Sequence, residues 1–457
     1  MNATITAPEY RSDGSFALAE LSFDGSCETG WKLRRNGEPH LELGPGYTLI
    51  DVEQCGVCST DLARALLPFP LPQVTGHEIL GRDEDDRRVV VEINASHRAR
   101  GVGECQFCAK GLERHCPERL VVGIHDLPGG FGSKLLAPVN AVIPLPDEIP
   151  SAAGVLIEPL AASLNAVQMI APTAGDRVMV LGPRRLGMLV VAALDAYREA
   201  SGVQFEIIGA ARHEHLRSLS REFGADEVIE VVGEGENHTE PVADVVIDTT
   251  GNPKGLELAL RLANREVHLK STHGQPALGL SHLTELVVDE MSITPFHAAA
   301  LRNQRVAWLG ADVVGSELQA DVLRGSPDEI FECLKSDSTG IPRVDVAVVD
   351  SAQLVDRAIR PSTEHELSLV KPRGSVALMQ GMETSGSSLL AAVTQRGLRL
   401  SSSRCGDFHA AIDLLSKNEG LREIGERLVT HHFSNADMNE VFAVARSPEC
   451  IKAVVKI

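Results

Sequence analysis

Aromatic side chains, basic charge and long apolar runs are all scarce in this 457-residue chain. Phe, Tyr and Trp make up 4% of it, so no aromatic surface for stacking a sugar or a nucleobase announces itself. Lys and Arg number 43 against 63 Asp and Glu, a net charge of −20. That balance argues against a nucleic-acid-binding surface and against a basic membrane-binding face. The longest largely apolar run, Leu186 to Leu194, falls well short of a bilayer span. The N-terminal residues show neither a charged segment followed by an apolar block nor an Arg-rich amphipathic pattern, so a soluble cytoplasmic protein is the expectation. With 43% hydrophobic and 23% charged residues, the composition is globular and the length suits two or three domains.

Cysteine gives the first functional hint. Nine is an odd number in a long chain without an export signal, which disfavours a disulfide framework. Cys27, Cys333, Cys405 and Cys450 are scattered and read as small buried thiols. The other five, Cys55, Cys58, Cys105, Cys108 and Cys116, are clustered, and clustered thiols in a reduced compartment usually mean metal. Cys55 with Cys58 mimics a redox dithiol, but no thioredoxin-like context surrounds the pair.

Up to about residue 160 the chain is punctuated by Gly and Pro, with short strand-like runs at Tyr47–Cys55, Arg87–Ile93 and Asn140–Pro146. Ser151–Ile170 reads as one apolar helix. From Asp176 onward, strands alternate with helices, the pattern of a doubly wound parallel sheet. Ala243–Thr294 and Val344–Ser402 present the same order of elements, either a partial internal repeat or two αβ units alike only in kind. Pro295–Arg343 between them looks irregular.

Three separated pieces fit one metal site: GVCSTDL with Cys58, Thr60 and Asp61; VTGHEILG with His77 and Glu78; and VLIEPLA with Glu158. A catalytic Zn²⁺ takes three protein ligands from Cys, His and carboxylate and keeps one position open, and Cys58, His77 and Glu158 offer one of each. A carboxylate inside an apolar helix is costly without a charged partner. Asp61 can orient His77, and Thr60 brings a hydroxyl close by. The plainer alternatives are a buried thiol, a hydrogen-bonded loop histidine and a helix N-terminal charge.

GVCSTD, GHE, ECQFCAKGLERHC and EPLA, in that order and ahead of a glycine-bearing turn, resemble the zinc-dependent medium-chain dehydrogenases. The likeness is greatest to the alcohol, polyol and threonine dehydrogenase branch. It covers Gly44 to about Thr294 and returns from Leu398 to Ile457, leaving roughly a hundred residues without a counterpart. The resemblance implies a GroES-like β-rich catalytic domain packed with a Rossmann domain. It also implies Cys58, His77 and Glu158 as ligands of the catalytic zinc, Thr60 as the start of a proton relay and Glu78 beside the ligands. In that family a second zinc is held by four cysteines. Cys105, Cys108 and Cys116 match three of them, Val102 stands where the first belongs, and His97 is a candidate replacement. The alternatives are an empty lobe of reduced thiols or a labile metal.

The phosphate-binding turn wants G-x-G-x-x-G, and the chain has Gly182, Pro183, Arg184, Arg185, Leu186 and Gly187. Arg184 replaces the glycine that lets the backbone approach a diphosphate, while Arg184 and Arg185 bring positive charge to that place. The second strand of the unit lacks the acidic residue that binds the NAD ribose, and Arg212 follows instead. NADP is therefore mildly preferred over NAD, although a solvated helix-start charge explains Arg212 equally well. His273, His431 and His432 carry less weight.

The sequence thus supports an α/β protein: a GroES-like domain over 1–160 rejoined by 405–457, and a Rossmann domain over 161–404 with an extra, duplicated-looking αβ segment at about 295–397. The expected function is zinc-dependent hydride transfer between an alcohol or polyol and NAD(P), in a homo-oligomer, the extra segment offering a surface for a protein partner. Arg184, Val102, a short insertion after Ser96 and the enlarged C-terminal half motivate the rival, a non-catalytic member of the fold serving as a binding or structural subunit. A zinc-free reductase is disfavoured by the intact candidate ligands.

Overall fold

The computed structural model describes residues 2–231, 240–270, 276–311, 319–336, 340–361, 368–384, 386–434 and 437–457. His273 lies outside them. The chain divides into two compact units, Met1–Leu164 with Cys405–Ile457, and Asn165–Arg404. Among the described residues, no helix is long and apolar enough to cross a membrane.

The first unit is built on antiparallel sheets. Asn2–Tyr10, Phe16–Ser26, Gly30–Arg35 and Glu38–Leu43 form a meander whose alternate residues, among them Ala7, Leu21, Phe23, Trp31 and Leu33, turn inward. The centre of the larger sheet is Tyr47–Gly56. It pairs on one side with Glu78–Arg82 and on the other with Lys134–Pro138 and the closing strand Lys452–Lys456. His431 and His432 lie on the strand beside that closing one. The apolar stretch from Ser151 is two helices, Ser151–Gly154 and Ile157–Ile170, where the sequence suggested one. Pro159 explains the break. In a continuous helix its ring would strike the carbonyl of Val155, whereas in the first turn of a new helix it is tolerated.

The second unit holds one eleven-stranded sheet, made of β1 (Arg177–Leu181), β2 (Glu206–Ala211), β3 (Glu227–Glu230), β4 (Ala243–Asp248), β5 (Ala263–Leu269), β6 (Ser292–Pro295), β7 (Arg305–Trp308), β8 (Asp321–Arg324), β9 (Val344–Ser351), β10 (Val370–Glu383) and β11 (Arg399–Ser402). Their spatial order is β3, β2, β1, β4, β5, β11, β6, β10, β9, β7, β8. Every neighbouring pair is parallel except β6 with β11. The stretch between Pro295 and Arg343, which looked irregular, contains β7, β8 and the helix Pro327–Lys335. Its strands are four residues each, too short to show a period. The helix is marked by a capping box of Ser326 and Glu329 and by Pro327 in its first turn.

A polar seam runs between β5 and β11. His268, fully buried, has Nδ1 2.7 Å from Ser401 Oγ and Nε2 2.8 Å from Ser403 Oγ. Lys270 Nζ donates to the Ser403 carbonyl and hydroxyl and to the Arg404 carbonyl. Burial, reinforced by the charges of Lys270 and Arg399, lowers the His268 pKa to about 3. The unfolded chain therefore binds a proton here between about pH 6.5 and 3 that the native chain refuses, so acid destabilises the fold. His268→Asn should make unfolding stability fall less steeply from pH 6.5 to 4, by up to roughly 1 kcal/mol per pH unit. Denaturant titrations at several pH values check this; identical slopes in both proteins would refute it.

Candidate active site and metal lobe

Two buried ion pairs organise the first candidate site. Cys58 caps the single-turn helix Ser59–Leu62, and Asp61 within that turn reaches back to accept the Cys58 N–H at 2.8 Å. The other Asp61 oxygen accepts the Gly76 N–H at 3.2 Å and lies 3.4 Å from His77 Nδ1. One carboxylate with almost no solvent access thus fastens the cysteine segment to the histidine segment. The Cys58 thiol lies 3.7 Å from the Thr60 hydroxyl. Burial alone would lower the pKa of His77, but the Asp61 carboxylate and Cys58 sulfur outweigh it and hold the pKa well above its usual value. A thiol and an imidazole turned to one another under a carboxylate favour a positive charge between them, and thiolate and imidazole are zinc donors.

The second pair is Glu78 with Lys452, both buried. Glu78 lies opposite Gly56 on the neighbouring strand, and the closing strand reaches that same Gly56 from its other side. A Cβ on Gly56 would stand 2.0 Å from Glu78 Oε2 and 3.1 Å from Lys452 Cε, so glycine is required for this approach. The sequence reading passed over Lys452; its signal was a lysine set among the apolar residues of IKAVV in the last strand.

Glu158 sits in the first turn of Ile157–Ile170, half buried, where the helix dipole favours negative charge. The donor atoms of Cys58, His77 and Glu158 do not all lie within 4.8 Å of one another. The structure brings together two of the three expected ligands and leaves Glu158 outside that limit.

The cysteine lobe is the more complete metal cluster. Among the described residues, His97, Cys105, Cys108 and Cys116 form the one group of three or more His, Cys, Asp or Glu whose donor atoms all lie within 4.8 Å of one another. Short strands Asn94–Ala95 and Leu120–Val121 close the lobe at its base, and Ser96 caps the turn that carries His97. Cys105 Sγ is 3.7 Å from both Cys108 Sγ and Cys116 Sγ, and His97 Nδ1 is 3.2 Å from Cys116 Sγ. A tetrahedron with Zn–S bonds of about 2.3 Å has S–S edges of roughly 3.8 Å, so the spacing fits. Burial raises the Cys105 pKa, but backbone N–H groups of Cys108 and Phe107 more than reverse it, favouring thiolate. The other His97 nitrogen lies 3.3 Å from Glu118, the kind of carboxylate that orients a ligating imidazole. Val102, at the position the resemblance gives to a cysteine, is 43% exposed.

The glycine turn belongs to the second unit. Gly182 has φ +77°, and a Cβ there would meet Thr250 at 2.8 Å. Gly187 lies in the helix Arg185–Ser201, and a Cβ there would meet Thr249 Oγ1 at 2.6 Å. These two glycines serve the turn and the packing of helix on strand. Arg184 is the helix N-cap, with Arg185 and Leu186 opening the first turn. Arg212, exposed, follows directly on β2.

Comparison with known proteins finds relatives of both units. Residues 44–147 match the alcohol dehydrogenase GroES-like domain. An L-threonine 3-dehydrogenase of Mesorhizobium japonicum is 28% identical over 232 residues, which is 48% of this chain and 64% of that enzyme. The match therefore spans less than two thirds of this relative. An L-galactonate-5-dehydrogenase of Escherichia coli is 28% identical over 254 residues, 51% of this chain and 70% of that protein. The matches place an alcohol dehydrogenase GroES-like domain at residues 44–147 and make about half of the chain similar to these dehydrogenases. An alcohol dehydrogenase of E. coli CFT073, solved in complex with NADH, shares the fold at a TM-score of 0.58 and 18% identity, with all of both chains covered. The fold is thus of the α/β class, with a GroES-like domain and a Rossmann-like parallel sheet.

Two outcomes are expected of these sites. Lys452→Met strands the Glu78 charge and should cost about 3–5 kcal/mol of stability, with Lys452→Arg much milder, as measured by denaturant unfolding. His97→Ala should speed loss of lobe zinc to a chelator at least tenfold, on the order of the effect of losing one ligand contact. A release rate equal to the unaltered protein's would remove His97 from the ligand set.

Proposed function

We propose that the chain is a zinc-dependent, cytoplasmic oxidoreductase that transfers a hydride between a small alcohol or polyol and NAD(P). The observation that carries this reading is the Cys58–Asp61–His77 constellation, in which two zinc-type donors are held by one buried carboxylate. Cys58 and His77 would hold the catalytic zinc, with Glu158 as the third ligand once its carboxylate turns toward them. Zinc bound there acts as a Lewis acid on the substrate oxygen, while the nicotinamide accepts or supplies the hydride. Asp61 would fix the imidazole orientation, Glu78 would anchor the strand after His77 through its pair with Lys452, and the Thr60 hydroxyl would carry a proton away from the substrate oxygen. Cys105, Cys108, Cys116 and His97 would hold a second, structural zinc.

For the cofactor, Gly182, Gly187 and the start of the helix Arg185–Ser201 would take the diphosphate, with Arg184 and Arg185 adding charge. Arg212 is exposed at the end of β2, where a 2′-phosphate would lie, so NADP is favoured. The relatives' names support a polyol or amino-alcohol substrate without choosing among them.

The test is metal content together with titration of NADPH and NADH. About one or two zinc per chain, reduced by about one in Cys58→Ala, and nucleotide binding on the order of micromolar are expected. Absence of both zinc and nucleotide binding in the purified protein would overturn the enzyme reading. Zinc without nucleotide would assign Arg184 the effect of closing the turn.

A further inference from the structure

The eleven-stranded sheet repeats itself outward from its centre in both directions. From the β6–β11 contact, one side runs β10, β9, β7, β8, and the other runs β5, β4, β1, β2, with β3 beyond. Strand register extends the correspondence to single residues. Arg177 faces Glu206 across β1 and β2, as Arg305 faces Asp321 across β7 and β8. Val178 faces Val245, as Val306 faces Val346. Val245 then faces Glu266, as Val346 faces Ser375. Glu266 faces Arg399 on β11, as Ser375 faces Ser292 on β6. One residue further along, Ile293 and Leu400 face each other across the antiparallel contact. A residue that meets its own equivalent marks a two-fold axis.

Side chains agree with the register. The Arg177 N–H donates to Asp244 at 2.9 Å, and the Arg305 N–H donates to Asp345 at 2.6 Å. Arg177 Nε donates to Glu206 and Arg305 Nε to Asp321. Both first strands read Arg-Val-x-x-Leu-Gly, ending at Gly182 and Gly310.

We infer that residues 304–402 are a second copy of residues 176–295, that the two copies have exchanged their last strands, and that the second copy serves as a partner built into the chain. β6 closes the first copy yet pairs with the second, and β11 does the reverse, the geometry of a domain swap held within one polypeptide. The exchange leaves no open strand at the centre of the sheet and continues one apolar core across it, with Val267, Ile293, Val376 and Leu400 all buried. This second copy has lost the place for a diphosphate. β1 and β2 are joined by residues 182–205, which carry a 17-residue helix, but β7 and β8 are joined only by residues 309–320, too few for a helix of that length. The Ala311 N–H, just past Gly310, is taken by the Asp350 carboxylate at 2.6 Å. The inference holds whether or not the first copy binds a nucleotide.

Disulfide trapping tests it on the full chain. In the double variant Ile293→Cys, Leu400→Cys, oxidation should link the two positions within one chain, giving a peptide-mapped crosslink at the mass of a single chain under denaturing conditions. A crosslink between chains at these positions would overturn the proposal. Hydrogen exchange on the unaltered protein guards against a misfolded variant. Protection of 292–295 and 399–402 should be unchanged on hundredfold dilution, whereas its loss on dilution would show that these strands pair with another chain.

Discussion

A carboxylate that has left water must meet a positive charge or a set of donors, and the first unit depends on meeting that demand twice in adjacent segments. Glu78 is answered by Lys452, Asp61 by His77 and two backbone N–H groups. The first pair ties the second sheet strand of this unit to the last strand of the chain, so the tail from Cys405 onward cannot be a dispensable appendage. The tail's helix Met438–Arg446 packs Phe442 against Tyr10 and Phe16, so both chain ends meet in the same core. Burying these charges is costly, and hydrophobic replacements of matching shape are often as stable. What the ion pairs supply is position: one thiol and one imidazole are fixed in place before any metal arrives.

The fold class was legible because its signals are local. The alternation of strand and helix from Asp176 shows in apolar runs long enough to carry a period, and Gly182 and Gly187 mark the turn by the two contacts only glycine permits. The cluster of Cys105, Cys108, Cys116 and His97 was legible because thiols are few and their spacing here is short. Lys452 was not, since its partner lies 374 positions earlier and no local rule connects them. The helix break at Val155 could have been read from Pro159 alone, but the apolar run hid it. Glu158 shows the opposite difficulty. Its residue type and place suited the third ligand, yet a first-turn carboxylate is also what a helix dipole favours, and sequence cannot weigh one against the other.

The repeat was half visible for a related reason. Ala243–Thr294 and Val344–Ser402 share long elements, whereas the first strands of the second copy are only four residues each. Register supplied what pattern could not. A chain of five independent pairings, each offset differently in sequence, converges on a single self-equivalent contact at Ile293 and Leu400. Coincidental likeness between αβ units would give similar element order but would have no reason to give the same residue-by-residue register.

The shorter connection between β7 and β8 raises the question of what covers the sheet there. In the first copy, Met179 and Leu181 face the core shared with the helix Pro253–Leu262, while Val178 and Val180 alternate to the opposite face. The register places Val306 and Trp308 at those two outward positions of the second copy. Trp308 is buried, meets the Phe296 ring edge-on at a centroid distance of 5.8 Å, and carries the Arg324 guanidinium over its face at 5.6 Å. With Leu301, Val346 and Val348 it forms a small separate core. A large ring, its aromatic neighbour and a stacked cation thus cover this face of the sheet with side chains. On the inferred duplication, side-chain packing closes this face of the second copy, so the repeat extends the sheet and its core.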